Sequence, residues 1–299
     1  MQAEYRTFGK TGLKVNRLGL GGAETGYGGA SFRELEKLLG SAIDAGLNVI
    51  DTAECYGDGE QALGRALWKR RNEIFLFTKC GHAPELGPDW DPAGLASSID
   101  RSLKRLRTDY VDLMQLHSCP EQTLRDPRVI EVLTRAREGG KTRFIGYSGD
   151  GADAVFAAKS GIFDTLQISI SIADQEAIEM VMPAARERNI GVIVKRPLAN
   201  AVWRQRRAPS DFYTRPYWDR LQELDYDFLS GDIDRSIGIA LRFTLSIPGA
   251  HTAIVGTSRP GRWEHNVALA SAGALPEEQY DAIRARWRAV ARRDWTGQR

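Results

Sequence analysis

Asp51, Tyr56, Lys79 and His117 supply a carboxylate, a phenol, an ammonium and an imidazole. Each lies at the end of a short apolar run of strand character: Asn48–Ile50, Ile74–Phe77 or Tyr110–Leu116. A free tyrosine has a pKa near 10, so at neutral pH it keeps its proton and is a sluggish acid. An ammonium within about 4–6 Å favours the phenolate and lowers that pKa, typically by one to three units. Lys79 is expected to do this to Tyr56, with Asp51 holding the ammonium charged and His117 orienting a carbonyl or sharing the proton. The set describes a positioned general acid, a device worth about 10²–10⁴ in rate. Taken singly, each residue has an ordinary reading as a loop cap, a rim aromatic, an ion-pair partner or a core histidine. Their order on three successive strand ends is what singles them out.

Such strand ends converge in an eight-stranded α/β barrel, where chemistry occurs at the C-terminal mouth. The chain reads that way. After a hairpin over residues 5–16, turning at Lys10-Thr11-Gly12, apolar runs recur at Leu18–Leu20, Asn48–Ile50, Ile74–Phe77, Tyr110–Leu116, Thr142–Ile145, Thr165–Ile168, Gly191–Val194 and Thr252–Val255. Helical stretches separate them. Ser31-Phe32-Arg33-Glu34 is a capping box, and Asp91-Pro92 an N-cap followed by a first-turn proline. Further helices are expected over 152–159, 176–188, 232–245 and 276–290. The fold class is therefore α/β, a (β/α)8 TIM barrel with an N-terminal hairpin and a C-terminal helix and tail over 276–299, in one domain spanning 1–299. An open doubly wound sheet is the competing topology. Residues 82–90 and 201–230 break the rhythm and are expected to be loops, the second forming a pocket wall because of its aromatics.

The 299 residues carry 27% charged and 42% hydrophobic side chains and a formal charge of +2, ordinary values for a soluble globular protein. With no basic stripe interleaved with aromatics, nucleic acid is not an expected partner. Cys55, Cys80 and Cys119 are isolated, which reads as free thiols in a reducing compartment and not as a metal site. No apolar core of a signal peptide occurs over 1–14 and no run is long enough to span a membrane. A cytoplasmic protein is expected, with no membrane partner.

The chain resembles the aldo-keto reductases. The resemblance is carried by Tyr5-Arg6, Gly9-Lys10-Thr11-Gly12-Leu13-Lys14-Val15, Leu18-Gly19-Leu20-Gly21-Gly22, Asp51-Thr52-Ala53-Glu54-Cys55-Tyr56-Gly57, Thr78-Lys79, Asp112 to His117 and Gly256-Thr257-Ser258, all in family order. It implies an NADP(H)-dependent barrel enzyme that passes a hydride between nicotinamide and an aldehyde, ketone or matching alcohol. Tyr56 would be the acid, tuned by Lys79 and Asp51, and His117 would orient the carbonyl. Substrate identity and oligomeric state are not assigned by these residues.

Gly19 to Gly22 is not a dinucleotide fingerprint, because Glu24 stands where a third glycine is needed. Gly21 and Gly22 instead suit close backbone approach. The segment from Gly256 through Thr257, Ser258, Arg259 and Arg262 follows the last strand and opens a helix, where barrels often bind phosphate. By resemblance, Arg262 and Asn266 match the contacts to the 2′-phosphate and adenine. Ser148 and Gln167 match the carboxamide-holding pair, and Leu198 and Asn200 the loop under the pyrophosphate. Three residues depart from the family. Gly149 replaces an asparagine, Lys195 replaces the aromatic that stacks on nicotinamide, and Gly256 stands where some members have a lysine. Arg259 and Arg262 are expected to compensate, keeping NADP(H) ahead of NAD(H). The alternatives are a cofactor-sensing regulatory subunit, as in potassium-channel β subunits, and a cofactor-free lyase or isomerase using the Arg262 region.

Overall fold

The structure, a computed structural model, describes residues 4–27 and 31–298; residues 1–3, 28–30 and Arg299, the last of the expected tail, lie outside the described residues. An antiparallel hairpin, β1 (Tyr5–Thr7) and β2 (Lys14–Asn16), precedes the barrel. The eight barrel strands are β3 (Leu18–Gly21), β4 (Val49–Asp51), β5 (Phe75–Cys80), β6 (Val111–His117), β7 (Thr142–Ser148), β8 (Thr165–Ser169), β9 (Gly191–Lys195) and β10 (Thr252–Gly256). Every neighbouring pair is parallel, and β10 closes the ring against β3.

Strand alternation builds the interior in layers. Val49, Phe77, Leu113, Ile193 and Ile254 form one apolar cluster with Phe8, Leu13 and Val15 of the hairpin segment. Phe8 stacks on Phe77 at 5.8 Å between ring centroids. The hairpin thus plugs the floor of the barrel. Two residues further along four of the strands, the same parity turns Asp51, Lys79, Gln115 and Lys195 inward. The polar layer of the mouth is seated directly on the apolar one.

The larger apolar cluster lies between the strands and the surrounding helices. Two helix starts behave as expected. Ser31 accepts from Glu34 N at 3.3 Å, while the Glu34 carboxylate accepts from Ser31 N at 2.8 Å, capping the helix Phe32–Asp44. Asp91 accepts from Ala93 N and Gly94 N ahead of the helix Pro92–Leu106.

Asp51 and His117 are the last residues of β4 and β6 and Lys79 the next to last of β5, at the strand ends as expected, and the strands run one to three residues beyond their apolar runs because main-chain pairing continues regardless of side-chain polarity. Two expectations need correction. The helix expected over 176–188 is broken into Glu176–Met180 and Met182–Glu187 around Val181, ahead of Pro183, which has no N–H to continue the ladder. The loop expected over 201–230 contains a helix, Arg215–Leu224, which buries Tyr217, Leu221 and Leu224.

Candidate active site

Lys79 lies at the centre of the mouth. Its Nζ donates to Asp51 Oδ2 at 2.5 Å and to Thr52 O at 2.8 Å, and both side chains of the ion pair are almost fully buried. The other carboxylate oxygen, Asp51 Oδ1, accepts from Gln115 Nε2 at 3.0 Å and from Gln167 Nε2 at 2.8 Å. Ser148 Oγ donates to Gln167 Oε1 at 3.1 Å. Four strands therefore hold one carboxylate in place. Gln115 lies within the Asp112–His117 motif, and its inward parity with Leu113 is the sequence signal for this role.

Tyr56 follows β4 on a loop, with its ring centroid 5.2 Å from Lys79 Nζ. The His117 ring stands edge-on to it at 5.9 Å. The loop is anchored by the helix Ala23–Tyr27, whose Tyr27 hydroxyl donates to Cys55 O at 2.5 Å. Burial pushes the Tyr56 phenol above its ordinary value, and this outweighs the opposite pull of the Lys79 ammonium. The lowered phenol expected from the sequence is thus corrected. Desolvation of a phenolate, not the neighbouring cation, dominates here. For Lys79, burial acts to lower the pKa, but the Asp51 carboxylate outweighs it and the net shift is upward.

Burial, followed by the electrostatic influence of Lys79 and the other basic side chains around it, holds His117 well below its usual range. Its imidazole is neutral at pH 7. His117 Nδ1 lies 3.5 Å from Cys55 Sγ. Burial raises that thiol to about 11, so it keeps its proton. In the tautomer in which Nδ1 accepts from that thiol, the neutral ring carries its proton on Nε2, toward the opening. Trp90 Nε1 donates to the His117 carbonyl at 3.0 Å, and the His82 ring packs against His117 at 5.1 Å. Residues 82–90 thus supply part of the mouth. Cys55 carried no motif beyond proximity to Tyr56, and its partnership depends on a residue 62 positions away.

The remaining candidates ring the same opening. Gly21 pairs with Asp51 on one side and Gly256 on the other. Gly22 N donates to Asp51 O at 2.7 Å. Thr257 is buried and its Oγ1 accepts from Arg259 N, and Ser258 follows it, half-buried. Asn266 is buried in the helix Arg262–Ala270. Among the described residues, Arg259 and Arg262 make no ion pair. Leu198 is half-buried and Asn200 exposed in a turn where Ala199, Asn200 and Ala201 all have positive φ. Gly149 has a steric reason, since a Cβ there would meet the Tyr147 hydroxyl at 2.1 Å. Glu24 was read only as a missing glycine. Its carboxylate lies against Gly256, where an added Cβ would meet Oε2 at 1.9 Å. Among the described residues no cluster of three or more side chains is suited to a metal, and no helix is long and apolar enough to cross a membrane.

A profile of the Aldo/keto reductase family matches residues 17–288. The chain is 28% identical to L-galactose dehydrogenase of Arabidopsis thaliana, over 89% of this chain and 87% of that one. It is also 28% identical to D-threo-aldose 1-dehydrogenase of a Pseudomonas species, over 87% and 91%. Its fold superposes on the holo form of an aldo-keto reductase from Bacillus halodurans with a TM-score of 0.83 and 26% identity, covering 98% of this chain and 99% of the other.

Proposed function

The chain belongs to the aldo/keto reductase family of oxidoreductases, and from that premise we propose that it interconverts a small aldehyde or ketone and the matching alcohol with NADP(H), Tyr56 serving as general acid and base. The observation that carries this reading is the buried Lys79–Asp51 pair beneath the Tyr56 ring, beside an uncharged His117.

Several features fit a pyridine nucleotide. Gly21 and Gly22 present backbone without side chains at the edge of the mouth, Ser148 and Gln167 present an amide–hydroxyl pair, and Arg259 and Arg262 are cations that make no ion pair among the described residues near the last strand. The bound cofactor would supply or accept the hydride. Leu198, Asn200, Gly256, Thr257, Ser258 and Asn266 are assigned to the same cofactor cleft. The two arginines favour NADP(H) over NAD(H), because two cations serve a 2′-phosphate well. The Glu24 carboxylate, lying against Gly256, opposes an anion there.

In carbonyl reduction, the protonated Tyr56 hydroxyl donates to the carbonyl oxygen as negative charge develops on it. The raised phenol pKa keeps that proton in place at neutral pH. The Lys79 ammonium then stabilises the phenolate that remains, as its Asp51 partner keeps it charged. His117 Nε2–H offers a second hydrogen bond to the same oxygen, an oxyanion-type contact. Alcohol oxidation runs the same steps backwards, with the phenolate as base.

Replacement of Tyr56 by phenylalanine tests the assignment. In an NADPH-consumption assay over an aldehyde panel, turnover is expected to fall by roughly 10²–10⁴. Cofactor affinity, read by fluorescence quenching, should stay near the wild-type value. Equal turnover in Y56F would remove Tyr56 from the acid role.

A further inference from the structure

Lys195 is a second buried lysine in the polar layer of the mouth. It ends β9 two residues after Ile193, whose side chain belongs to the inner apolar layer, so strand parity turns Lys195 into the same opening as Lys79. Its Nζ pairs with Asp150 Oδ2 at 2.9 Å. Asp150 is not free to neutralise it alone, because Arg196 Nη1 lies 3.6 Å from the same oxygen. Ser169 N and Ser169 Oγ also donate to that carboxylate, at 2.6 and 3.1 Å. Arg196 has a φ of 56°, a left-handed conformation costly for a side chain of this size. That kink lets two consecutive residues, which would otherwise point to opposite faces, reach one carboxylate.

His117 acts as an internal test charge for this opening. After burial, the influences on its imidazole come from Lys79, His82, Lys195 and Arg196, and each disfavours a positive ring. Three cations, Lys79, Lys195 and Arg196, are set there against the two carboxylates Asp51 and Asp150, so the positive groups of this set outnumber their partners by one. For hydride transfer to a carbonyl at Tyr56, the nicotinamide ring must enter the same mouth. Oxidised nicotinamide is a pyridinium cation and the reduced ring is neutral, so only one of the two redox states meets the repulsion that His117 reports.

We propose that Lys195 makes the site discriminate between the redox states of its nicotinamide cofactor, holding the reduced form more tightly than the oxidised form. This rests on the nicotinamide-dependent reading above. It shifts the equilibrium on the enzyme toward the reduced cofactor and the carbonyl. In that role Lys195 tunes the cofactor and takes no proton in the reaction.

The test is a set of binding titrations at pH 7 with NADP⁺, NADPH, NAD⁺ and NADH, followed by quenching of tryptophan fluorescence and by calorimetry. In the wild-type protein the oxidised form of the preferred nucleotide should have a Kd about tenfold or more above that of the reduced form, a difference of about 1.4 kcal/mol per decade. Lys195→Met should bring the ratio toward unity, and Lys195→Arg, which keeps the charge, should restore it. Burial lowers Lys195 to about 8, and the Asp150 carboxylate is what holds it charged against that burial, so Asp150→Asn should discharge the lysine at pH 7 and narrow the ratio as well. This second variant decides the matter if K195M does not fold. A ratio unchanged in K195M, or unchanged or widened in D150N, overturns the proposal while leaving the oxidoreductase reading intact. Failure of the wild-type protein to bind any of the four nucleotides removes both.

Discussion

Breaking the Lys79–Asp51 pair one partner at a time should cost far more than removing both. Lys79→Met leaves the Asp51 carboxylate, 2% exposed, with only the Gln115 and Gln167 amides as donors. Asp51→Asn leaves the Lys79 ammonium, 1% exposed, with the Thr52 carbonyl as its remaining acceptor. Removing one partner of a buried pair typically costs about 3–5 kcal/mol, because the other charge is stranded in a low-dielectric interior. With an unfolding entropy of about 2.1 cal/mol/K per residue, the 299-residue chain has about 0.6 kcal/mol/K. Each single variant should therefore melt about 5–8 °C below wild type. The double variant D51N/K79M strands no charge and should lose less than either single change. Scanning calorimetry of the four proteins, without added nucleotide, completes a double-mutant cycle. A loss in the double variant equal to the sum of the singles would refute the coupling, and with it the claim that Asp51 is what keeps Lys79 charged.

Three further outcomes follow from particular contacts. Arg262→Ala should weaken NADPH binding by about tenfold or more while changing NADH binding little, since a charge-assisted contact to a 2′-phosphate is worth about 1.5–3 kcal/mol; parallel weakening in quenching titrations would count against that contact. Glu24→Gln removes a carboxylate lying against Gly256 and should tighten NADPH binding severalfold, with the gain largest at low salt, where charges are least screened. Asp174 is buried, and that burial together with the nearby Asp150 raises its carboxyl to about 7 from 3.8. A raised acid stabilises the fold below its unfolded pKa, and that contribution is lost as pH rises through about 7. Between pH 5 and pH 8.5 the part of that loss still to come spans about two pH units, so urea unfolding at the two pH values should show Asp174→Asn abolishing a loss of about 3 kcal/mol; identical slopes in both proteins would exclude the assignment.

What the amino-acid order determined was everything local and periodic. The alternation of apolar runs with capped helices marked eight βα units, and Ser31 and Asp91 announced helix starts because their caps are made within three residues. The same strings placed Asp51, Tyr56, Lys79 and His117 at adjacent strand ends, since neighbouring strands in a barrel are consecutive in the chain. The apolar runs stop short of the last paired residues Cys80 and Ser148, because main-chain pairing does not depend on side-chain polarity. The helix Arg215–Leu224 was read as loop, because its buried face packs on distant segments such as the helix Glu277–Val290.

Only the tertiary structure decided the protonation states and the partners that set them. Tyr56 is raised and not lowered because burial outweighs a cation whose proximity the sequence had anticipated. The tautomer of His117 rests on Cys55, the placement of Asp51 on Gln115 and Gln167, and the charge of the mouth on Lys195, Arg196 and Asp150. Secondary structure is written by contacts a few residues apart. A pKa is set by how much water has been removed and by charges and hydrogen bonds within a few ångströms, and closing the barrel brings such groups together from positions as much as 116 residues apart, as Gln167 and Asp51 are.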